Sequence, residues 1–125
     1  MTEEAASILV VDDEQSITDF VSYSLMKEGF KVDVANNGED ALEQATRKHY
    51  DLFVLDIMLP DGNGVELCSQ IKHRYEIPIL FLSALGDNQD VIAALRAGGD
   101  DYLPKPYDIN VLIARVEARL RTSHQ

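Results

Sequence analysis

Charged side chains follow three separate apolar runs of this chain. Asp12 and Asp13 follow the first run, Asp56 follows the second, and Lys105 follows a shorter one. If these runs are parallel strands, all four side chains lie at strand carboxyl ends, where open α/β sheets build their sites. Three carboxylates that converge there repel one another unless a divalent cation joins them. The pattern therefore predicts a Mg²⁺-assisted site in which a carboxylate accepts a phosphoryl group.

The elements that would position these side chains alternate along the chain. Strands are predicted at residues 7–11, 31–35, 51–55, 78–82 and 100–103, and helices at 14–28, 38–48, 64–74, 87–97 and 108–121. Three of the strands are apolar on both faces, which is typical of central parallel strands covered by helices. Helical spacing predicts that Ile17, Phe20, Val21 and Leu25 form the buried face of the first helix. The whole pattern predicts a doubly wound α/β fold with five parallel strands and five flanking helices.

The composition is that of one small domain. With 125 residues the chain can bury a core without staples, and its only cysteine, Cys68, can form no internal disulfide. Apolar runs stop short of the ~20 residues of a membrane span and the start is acidic, so we expect a cytoplasmic protein that does not bind membranes. The formal net charge of −11 argues against nucleic-acid binding by this domain alone. Residues 1–6 and 122–125 lack periodicity, so we expect a disordered lead and a disordered tail, and the tail could also be the start of a linker.

The carboxylates suit different parts of one reaction. Asp56 is the expected acceptor, because it leaves a buried strand for a turn, where its side chain would be ionised and face solvent. Asp12 and Asp13 supply the hard oxygen ligands that Mg²⁺ prefers. The backbone carbonyl of Met58 is a further candidate ligand.

Two more polar side chains complete the predicted site. Ser83 can donate its hydroxyl to a phosphoryl oxygen, and Lys105 can place an ammonium on another. Each residue also has a simpler interpretation: Asp12 or Asp13 could cap a helix, Asp56 could start a turn, and the other two could be ordinary surface or strand-end residues. Their joint position at one edge of the predicted sheet favours the functional interpretation.

Five ordered motifs resemble the signature of receiver domains of two-component response regulators. They are Asp12-Asp13-Glu14, Asp56, Pro60-Asp61-Gly62, Ser83-Ala84 and Gly99-Asp100-Asp101-Tyr102-Leu103-Pro104-Lys105-Pro106. The resemblance covers about residues 7–121, which we take as the receiver domain. It implies a flavodoxin-like fold with strand order 2-1-3-4-5, in which the first and third strands are neighbours.

The resemblance also implies the chemistry of the acidic residues. Asp56 would accept the phosphoryl group from a sensor histidine kinase. Asp13, Asp56 and the Met58 carbonyl would bind Mg²⁺ directly, and Asp12 would bind it through water. Such a domain is a regulatory protein rather than an enzyme, since it assists only its own phosphorylation and dephosphorylation.

A switch pair is implied as well. The Ser83 hydroxyl would move to the phosphoryl group, and the ring of Tyr102 would turn inward behind it. Lys105-Pro106 resembles the family's cis X-Pro bond.

The segment around Asp101 and the last helix resembles the OmpR/PhoB type. Its members usually carry a winged-helix DNA-binding domain after a short linker, so we expect any DNA binding to come from a domain outside this sequence. We also expect a phosphorylation-promoted homodimer through the fourth helix, fifth strand and fifth helix. The residues expected on that face are Val91, Asp100, Asp101, Val111 and Arg115. The two valines stand where this type usually has a basic and an acidic residue, so the mode of dimerisation stays open.

Other functions on the same fold are less well supported. A phosphate-independent pseudo-receiver would not need the complete set of charged residues. A flavodoxin needs a hydroxyl- and glycine-rich loop after the first strand, where this chain has acidic residues that would repel a flavin phosphate. A dehalogenase-type phosphatase would need a second carboxylate two residues after the nucleophile, and Met58 occupies that position.

Overall fold

Twelve helices and strands make up the described part of the chain. The structure is a computed structural model and describes residues 5–83 and 88–123. The strands are β1 Ser7–Val11, β2 Lys31–Ala35, β3 Leu52–Asp56, β4 Met58–Leu59, β5 Gly62–Asn63, β6 Ile79–Ser83 and β7 Asp101–Pro104. The helices are α1 Gln15–Lys27, α2 Gly38–Arg47, α3 Gly64–Arg74, α4 Asn88–Arg96 and α5 Ile109–Ser123. All ten predicted elements are present, with ends that differ from the prediction by two residues at most.

Five of the strands form one parallel sheet in the order β2-β1-β3-β6-β7. Numbered among themselves these strands give 2-1-3-4-5, which confirms the predicted flavodoxin-like topology. The remaining two strands, β4 and β5, pair antiparallel in a short ribbon directly after β3. This ribbon was not predicted, because two-residue strands carry no periodicity that a sequence pattern can reveal.

Each face of the sheet carries its own hydrophobic core. Leu9 and Val11 of β1 lie in a cluster with residues of α2 and α3, whereas Ile8 and Val10 lie in a second cluster with residues of α1 and α5. The alternation follows from the period of two along a strand. The polar residues at the strand ends therefore lie at the edge of the sheet, between the two hydrophobic clusters.

The buried face of α1 differs from the prediction. Its buried residues are Thr18, Val21, Ser22 and Leu25, whereas Phe20 is 54% exposed. Val21 and Leu25 are buried as predicted and Ile17 is half-buried, so the prediction was wrong for Phe20 alone. Two hydroxyl residues, Thr18 and Ser22, complete the buried face. Their hydroxyls donate to backbone carbonyls three residues earlier, so burying them costs little. The helix instead exposes its large apolar side chains, Phe20, Tyr23 and Met26.

Three predictions concern the chain ends and Ala84. Helix α5 continues to Ser123, two residues beyond the predicted end, so the segment predicted as a disordered tail is partly helical. Residues 1–4, 124–125 and Ala84 lie outside the described residues. Within the described ranges no helix has the length and apolar character needed to span a membrane.

Candidate functional site

Three acidic side chains converge at the carboxyl edge of the sheet. Strands β1 and β3 pair in parallel with Val11 opposite Leu55, so Asp12 and Asp56 leave the sheet side by side. Asp12, Asp13 and Asp56 each place a carboxylate oxygen within 4.8 Å of the others. The predicted convergence is therefore confirmed.

The ammonium of Lys105 joins two of these carboxylates. Its Nζ donates to Asp12 Oδ2 at 3.0 Å and to Asp56 Oδ2 at 2.9 Å. The backbone N–H of Lys105 donates to the carbonyl of Ser83 at 2.8 Å, which fixes the residue beside the end of β6. Lys105 is thus the counter-charge of the acidic site.

The other oxygen of each buried carboxylate is held by the backbone. Asp12 Oδ1 accepts from the N–H of Glu14, and Asp56 Oδ1 accepts from the N–H of Met58, both at 3.0 Å. The N-cap residue of α1 is Glu14, and no side chain caps it, so the interpretation of Asp12 or Asp13 as a helix cap is not borne out. Asp12 and Asp56 are consequently oriented by one backbone bond and one charge-assisted bond each.

Asp56 is more buried than the sequence suggests. Only 6% of its surface is exposed, whereas the prediction had its side chain face solvent. Burial raises its pKa, the hydrogen bonds from Lys105 and the Met58 N–H oppose that rise, and the negative charge of Asp12 adds to it. The prediction failed because Asp56 is the last residue of β3 itself rather than the first residue of the turn.

Lys105 responds to the same carboxylates. Burial by itself would lower its pKa, but the hydrogen bonds and charges of Asp56 and Asp12 outweigh burial and raise the pKa. The lysine therefore stays protonated across the physiological range. Its side chain is 18% exposed, so water screens the two ion pairs only in part.

The donor set suits a hard divalent cation. Three carboxylates supply oxygen ligands of the kind that Mg²⁺, Ca²⁺ and Mn²⁺ prefer, and within residues 5–83 and 88–123 no thiolate or imidazole joins them. Asp13 is exposed and so leaves one side of the cluster open to solvent. The residues present therefore fit a metal ion.

Residues 8–117 match the response regulator receiver domain family. The chain belongs to this family. It is the receiver domain of a two-component response regulator. The resemblance inferred from the motifs is thus confirmed.

Two curated response regulators are similar to this chain in sequence. Response regulator ArlR of Staphylococcus epidermidis is 44% identical over 115 residues, which are 92% of this chain and 52% of ArlR. ArlR of Staphylococcus aureus is 42% identical over 118 residues, covering 94% of this chain and 54% of the relative. The chain spans about half the length of these curated relatives.

Solved structures agree with that assignment. A two-component response regulator from Clostridium difficile is 34% identical with a TM-score of 0.93, covering 96% of this chain and 99% of that one. DrrB, described as a Thermotoga maritima OmpR/PhoB homolog, is 37% identical with a TM-score of 0.87, covering 95% of this chain and 54% of DrrB. The OmpR/PhoB resemblance is therefore supported by fold and sequence together.

The predicted switch residues lie near the site. Ser83 is the last residue of β6 and is fully buried. Tyr102 of β7 is half-buried, lies opposite Phe81 in the sheet register and packs against the core on the α2 and α3 side. The predicted cis peptide bond between Lys105 and Pro106 is present.

The charged residues of the expected dimer face already have partners within the chain. Asp100 Oδ2 accepts from Lys72 Nζ and from the N–H of Ile79, both at 2.8 Å. Asp101 Oδ1 accepts from Arg115 Nη1 at 2.8 Å. These acidic side chains are therefore neutralised in the single chain.

The apolar residues of that face are partly accessible. Val91 of α4 is half-buried, and Val111 of α5 is 42% exposed. Helix α4 also exposes Ile92 and Leu95, at 46% and 48%. The apolar surface of this part of the molecule is larger than the two valines alone would provide.

The contacts of two polar residues beside the site were missed by sequence reasoning. Asn36 Nδ2 donates to the carbonyl of Asp12 at 2.8 Å, and Asp61 accepts from two backbone N–H groups at the start of α2. Neither contact has a sequence signal, since each joins residues more than twenty positions apart. Asp61 was noticed only as part of the Pro60-Asp61-Gly62 motif.

Proposed function

We propose that this receiver is a phosphorylation-activated switch whose acceptor is Asp56. The observation that carries the proposal is the position of its carboxylate: Oδ2 lies 2.9 Å from the Lys105 ammonium, and Asp12 and Asp13 lie within metal-sharing distance. The donor would be a phosphohistidine of a sensor histidine kinase, and the metal would be Mg²⁺, held by Asp12, Asp13, Asp56 and the Met58 carbonyl. Mg²⁺, when bound, supplies the positive charge that lets an anionic donor approach the carboxylates.

The residues of the chain would contribute mainly position and charge. An Asp56 carboxylate oxygen forms the new P–O bond while the P–N bond of the donor breaks, and the leaving imidazole nitrogen keeps that electron pair. Charge spreads over the phosphoryl oxygens in the transition state. The Lys105 ammonium would pair with one phosphoryl oxygen, and the Ser83 hydroxyl would donate a hydrogen bond to a second one. Burial of Asp56 keeps competing water away from the reacting atoms.

The output would follow from a rearrangement of the switch residues. The added phosphoryl group carries roughly −1.5 to −2 charges by analogy with the familiar phosphoamino acids, and such a local change needs a bistable element to act at a distance. Ser83 and Tyr102 would form that element. The proposed domain is regulatory and not an enzyme, is cytoplasmic, and acts on DNA only through a domain outside this sequence.

Intact mass spectrometry after exposure to acetyl phosphate tests the acceptor. The wild-type chain is expected to gain one phosphoryl group with Mg²⁺ and none with a chelator, and Asp56→Asn is expected to gain none. Asp51→Asn is a matched control, because Asp51 lies just before the opposite end of β3 and bonds to the Ser7 N–H. Full labelling of Asp56→Asn would refute the assignment.

We also propose that phosphorylation promotes a homodimer through α4, β7 and α5. The exposed side chains of Ile92, Leu95 and Val111 supply apolar area, while Asp100 and Asp101 are already paired within the chain. Because apolar burial is not screened by salt, the dimer should depend only weakly on ionic strength. A C₂ interface of this kind is self-complementary.

Sedimentation of the beryllofluoride-treated chain at low and high salt tests the dimer. We expect a dimer under both conditions and a monomer for Val111→Asp. Met26→Asp is the control, because Met26 is similarly exposed on α1. A dimer that is lost at high salt would show that ion pairs hold it together, and a monomer throughout would remove this interface from the proposal.

A further inference from the structure

The connection between β2 and α2 touches the first acidic loop. Asn36 Nδ2 donates to the backbone carbonyl of Asp12 at 2.8 Å, and the N–H of Asp12 donates to the carbonyl of Ala35 at 3.2 Å. Both backbone groups of Asp12 are therefore bonded to the segment that leads into α2. This fixes the point from which the first acidic loop departs.

The same connection holds the second acidic loop from the other side. Asp61 follows Asp56 by five residues, and its Oδ1 and Oδ2 accept from the N–H groups of Gly38 and Glu39 at 2.8 and 2.9 Å. These are among the N–H groups of a first helical turn that have no partner inside the helix. A carboxylate from a different loop thus takes part in capping α2.

The loop that runs from Asp56 to Gly64, and that contains Asp61, is tightly closed. The N–H of Gly64 donates to the carbonyl of Ile57 at 2.6 Å, and a Cβ on Gly64 would lie 2.3 Å from the Asp56 carbonyl oxygen. Within the loop, β4 and β5 pair as a ribbon. Asp61 therefore lies in a loop whose far end returns to the backbone of Asp56 and Ile57.

We propose that Asn36 and Asp61 are positioning residues that set the separation between the first acidic loop and Asp56. The α2 bracket, defined as Asn36, Asp61 and the N–H groups of Gly38 and Glu39, would thereby set the affinity of the site for a divalent cation. The inference rests on the proposed function, because it assumes that these loops bind Mg²⁺. Neither positioning residue touches the reacting atoms itself.

Calorimetric titration with Mg²⁺ on the unphosphorylated chain measures this role directly. Removing outer partners of metal ligands typically costs 10–100-fold in affinity. Since the bracket acts through backbone, we expect about a tenfold weaker Kd for Asp61→Ala and a similar loss for Asn36→Ala. The double variant should lose less than the product of the two, because both act on one separation.

Two further variants separate position from stability and from charge. Asn37 caps the same helix by accepting from the N–H of Asp40 at 2.7 Å and, among the described residues, makes no hydrogen bond to either acidic loop. Asn37→Ala should therefore lower stability and keep the Kd within about twofold. Asp61→Asn removes the same charge as Asp61→Ala but keeps one acceptor oxygen. It should therefore bind Mg²⁺ more tightly than Asp61→Ala.

Each result has a distinct meaning. If the wild type binds no Mg²⁺, the proposed function fails and the bracket fails with it. Suppose that the wild type binds Mg²⁺. If both Asp61 variants bind it as tightly as the wild type, or if both bind it more weakly by the same factor, the bracket alone is wrong. In the first case Asp61 has no effect on the Kd, and in the second only its charge matters. If Asp61→Ala does not fold, the Mg²⁺ affinities of Asp61→Asn and Asn37→Ala are compared under conditions that give the two variants the same free energy of unfolding. Weaker binding by Asp61→Asn would then support the bracket, and equal binding would refute it.

Discussion

Lys105 bonds to the carboxylate oxygens that a divalent cation would use. Its Nζ lies 3.0 Å from Asp12 Oδ2 and 2.9 Å from Asp56 Oδ2. From the sequence alone we expect Lys105→Ala to leave metal binding nearly intact. The two ion pairs change that expectation, since the ammonium and the cation compete for the same negative charge. Lys105→Met, which keeps the length of the side chain but removes its charge, should bind Mg²⁺ more tightly than the wild type.

The size of the effect follows from the bonds that the metal must weaken. A hydrogen bond to a charged group contributes about 1.5–3 kcal/mol. If metal binding breaks one of the two hydrogen bonds of Lys105, it loses the free energy of that bond. In a variant without the lysine, metal binding loses nothing of this kind. At 1.4 kcal/mol per factor of ten, the affinity should rise about tenfold to hundredfold.

The metal-free protein should lose stability at the same time. Without Lys105 two buried carboxylates face each other with no counter-charge, and breaking a buried pair costs about 3–5 kcal/mol. Because the lysine side chain is 18% exposed, we expect a smaller loss of about 2 kcal/mol. Saturating Mg²⁺ should restore most of that loss.

Calorimetry and urea unfolding with and without Mg²⁺ measure both quantities. Lys72→Met is the matched control, because Lys72 pairs with Asp100 at 2.8 Å with a side chain 24% exposed, away from the acidic cluster. It should lower stability and leave the Mg²⁺ affinity unchanged. Equal or weaker Mg²⁺ binding by Lys105→Met would refute the competition argument.

Three further predictions concern single residues of the acidic loops. Asp13→Asn should weaken Mg²⁺ binding more than Asp12→Asn in calorimetry, because a direct ligand loses more than one acting through water; equal losses would remove that distinction. Metal-free Asp56→Asn should have a higher free energy of unfolding than the wild type at pH 7. The difference should narrow as the pH falls through the raised pKa of Asp56, because the wild type then also folds with a neutral side chain. Urea unfolding from pH 7 to 4 measures this difference, and a difference that stays constant would contradict the prediction. Gly64→Ala should lower the unfolding free energy by about 3 kcal/mol, because its Cβ would meet backbone at 2.3 Å. Gly38→Ala should change it by less than about 1 kcal/mol, because the nearest atom to its Cβ would be the end of the Asp61 side chain at 3.3 Å. A similar loss for both glycine variants would argue against the tight loop.

Much of the fold could be predicted because it rests on local patterns. Buried parallel strands are apolar on both faces, and five such runs alternating with helical spacing leave few topologies. The convergence of Asp12, Asp56 and Lys105 follows from the same rule, since the carboxyl ends of parallel strands share one edge. Side chains that leave strand ends are therefore the part of a site that sequence reasoning finds most readily.

The remaining features depend on contacts between distant residues. The prediction ends the third strand at residue 55, whereas β3 ends at Asp56. This difference of one position places Asp56 in the buried strand instead of the turn. Phe20 is exposed although helical spacing predicts it buried, and Ser22 can be buried because its hydroxyl donates to a carbonyl of its own helix. The bonds of Asp61 to α2 join residues 22 and 23 positions apart, and no spacing rule covers them.

Charge balance links the metal, the acceptor and the switch. Three carboxylates and one ammonium leave an excess of negative charge, and a divalent cation would balance that excess. Phosphorylation would then add negative charge on the phosphoryl oxygens at Asp56, while the carboxylate that accepts from Lys105 would lose its own charge. Lys105 must follow that charge, and its backbone N–H is bonded to the Ser83 carbonyl at 2.8 Å. A movement that reached the Lys105 backbone would therefore be transmitted to the end of β6, and this bond is a candidate link between the phosphoryl group and the proposed switch.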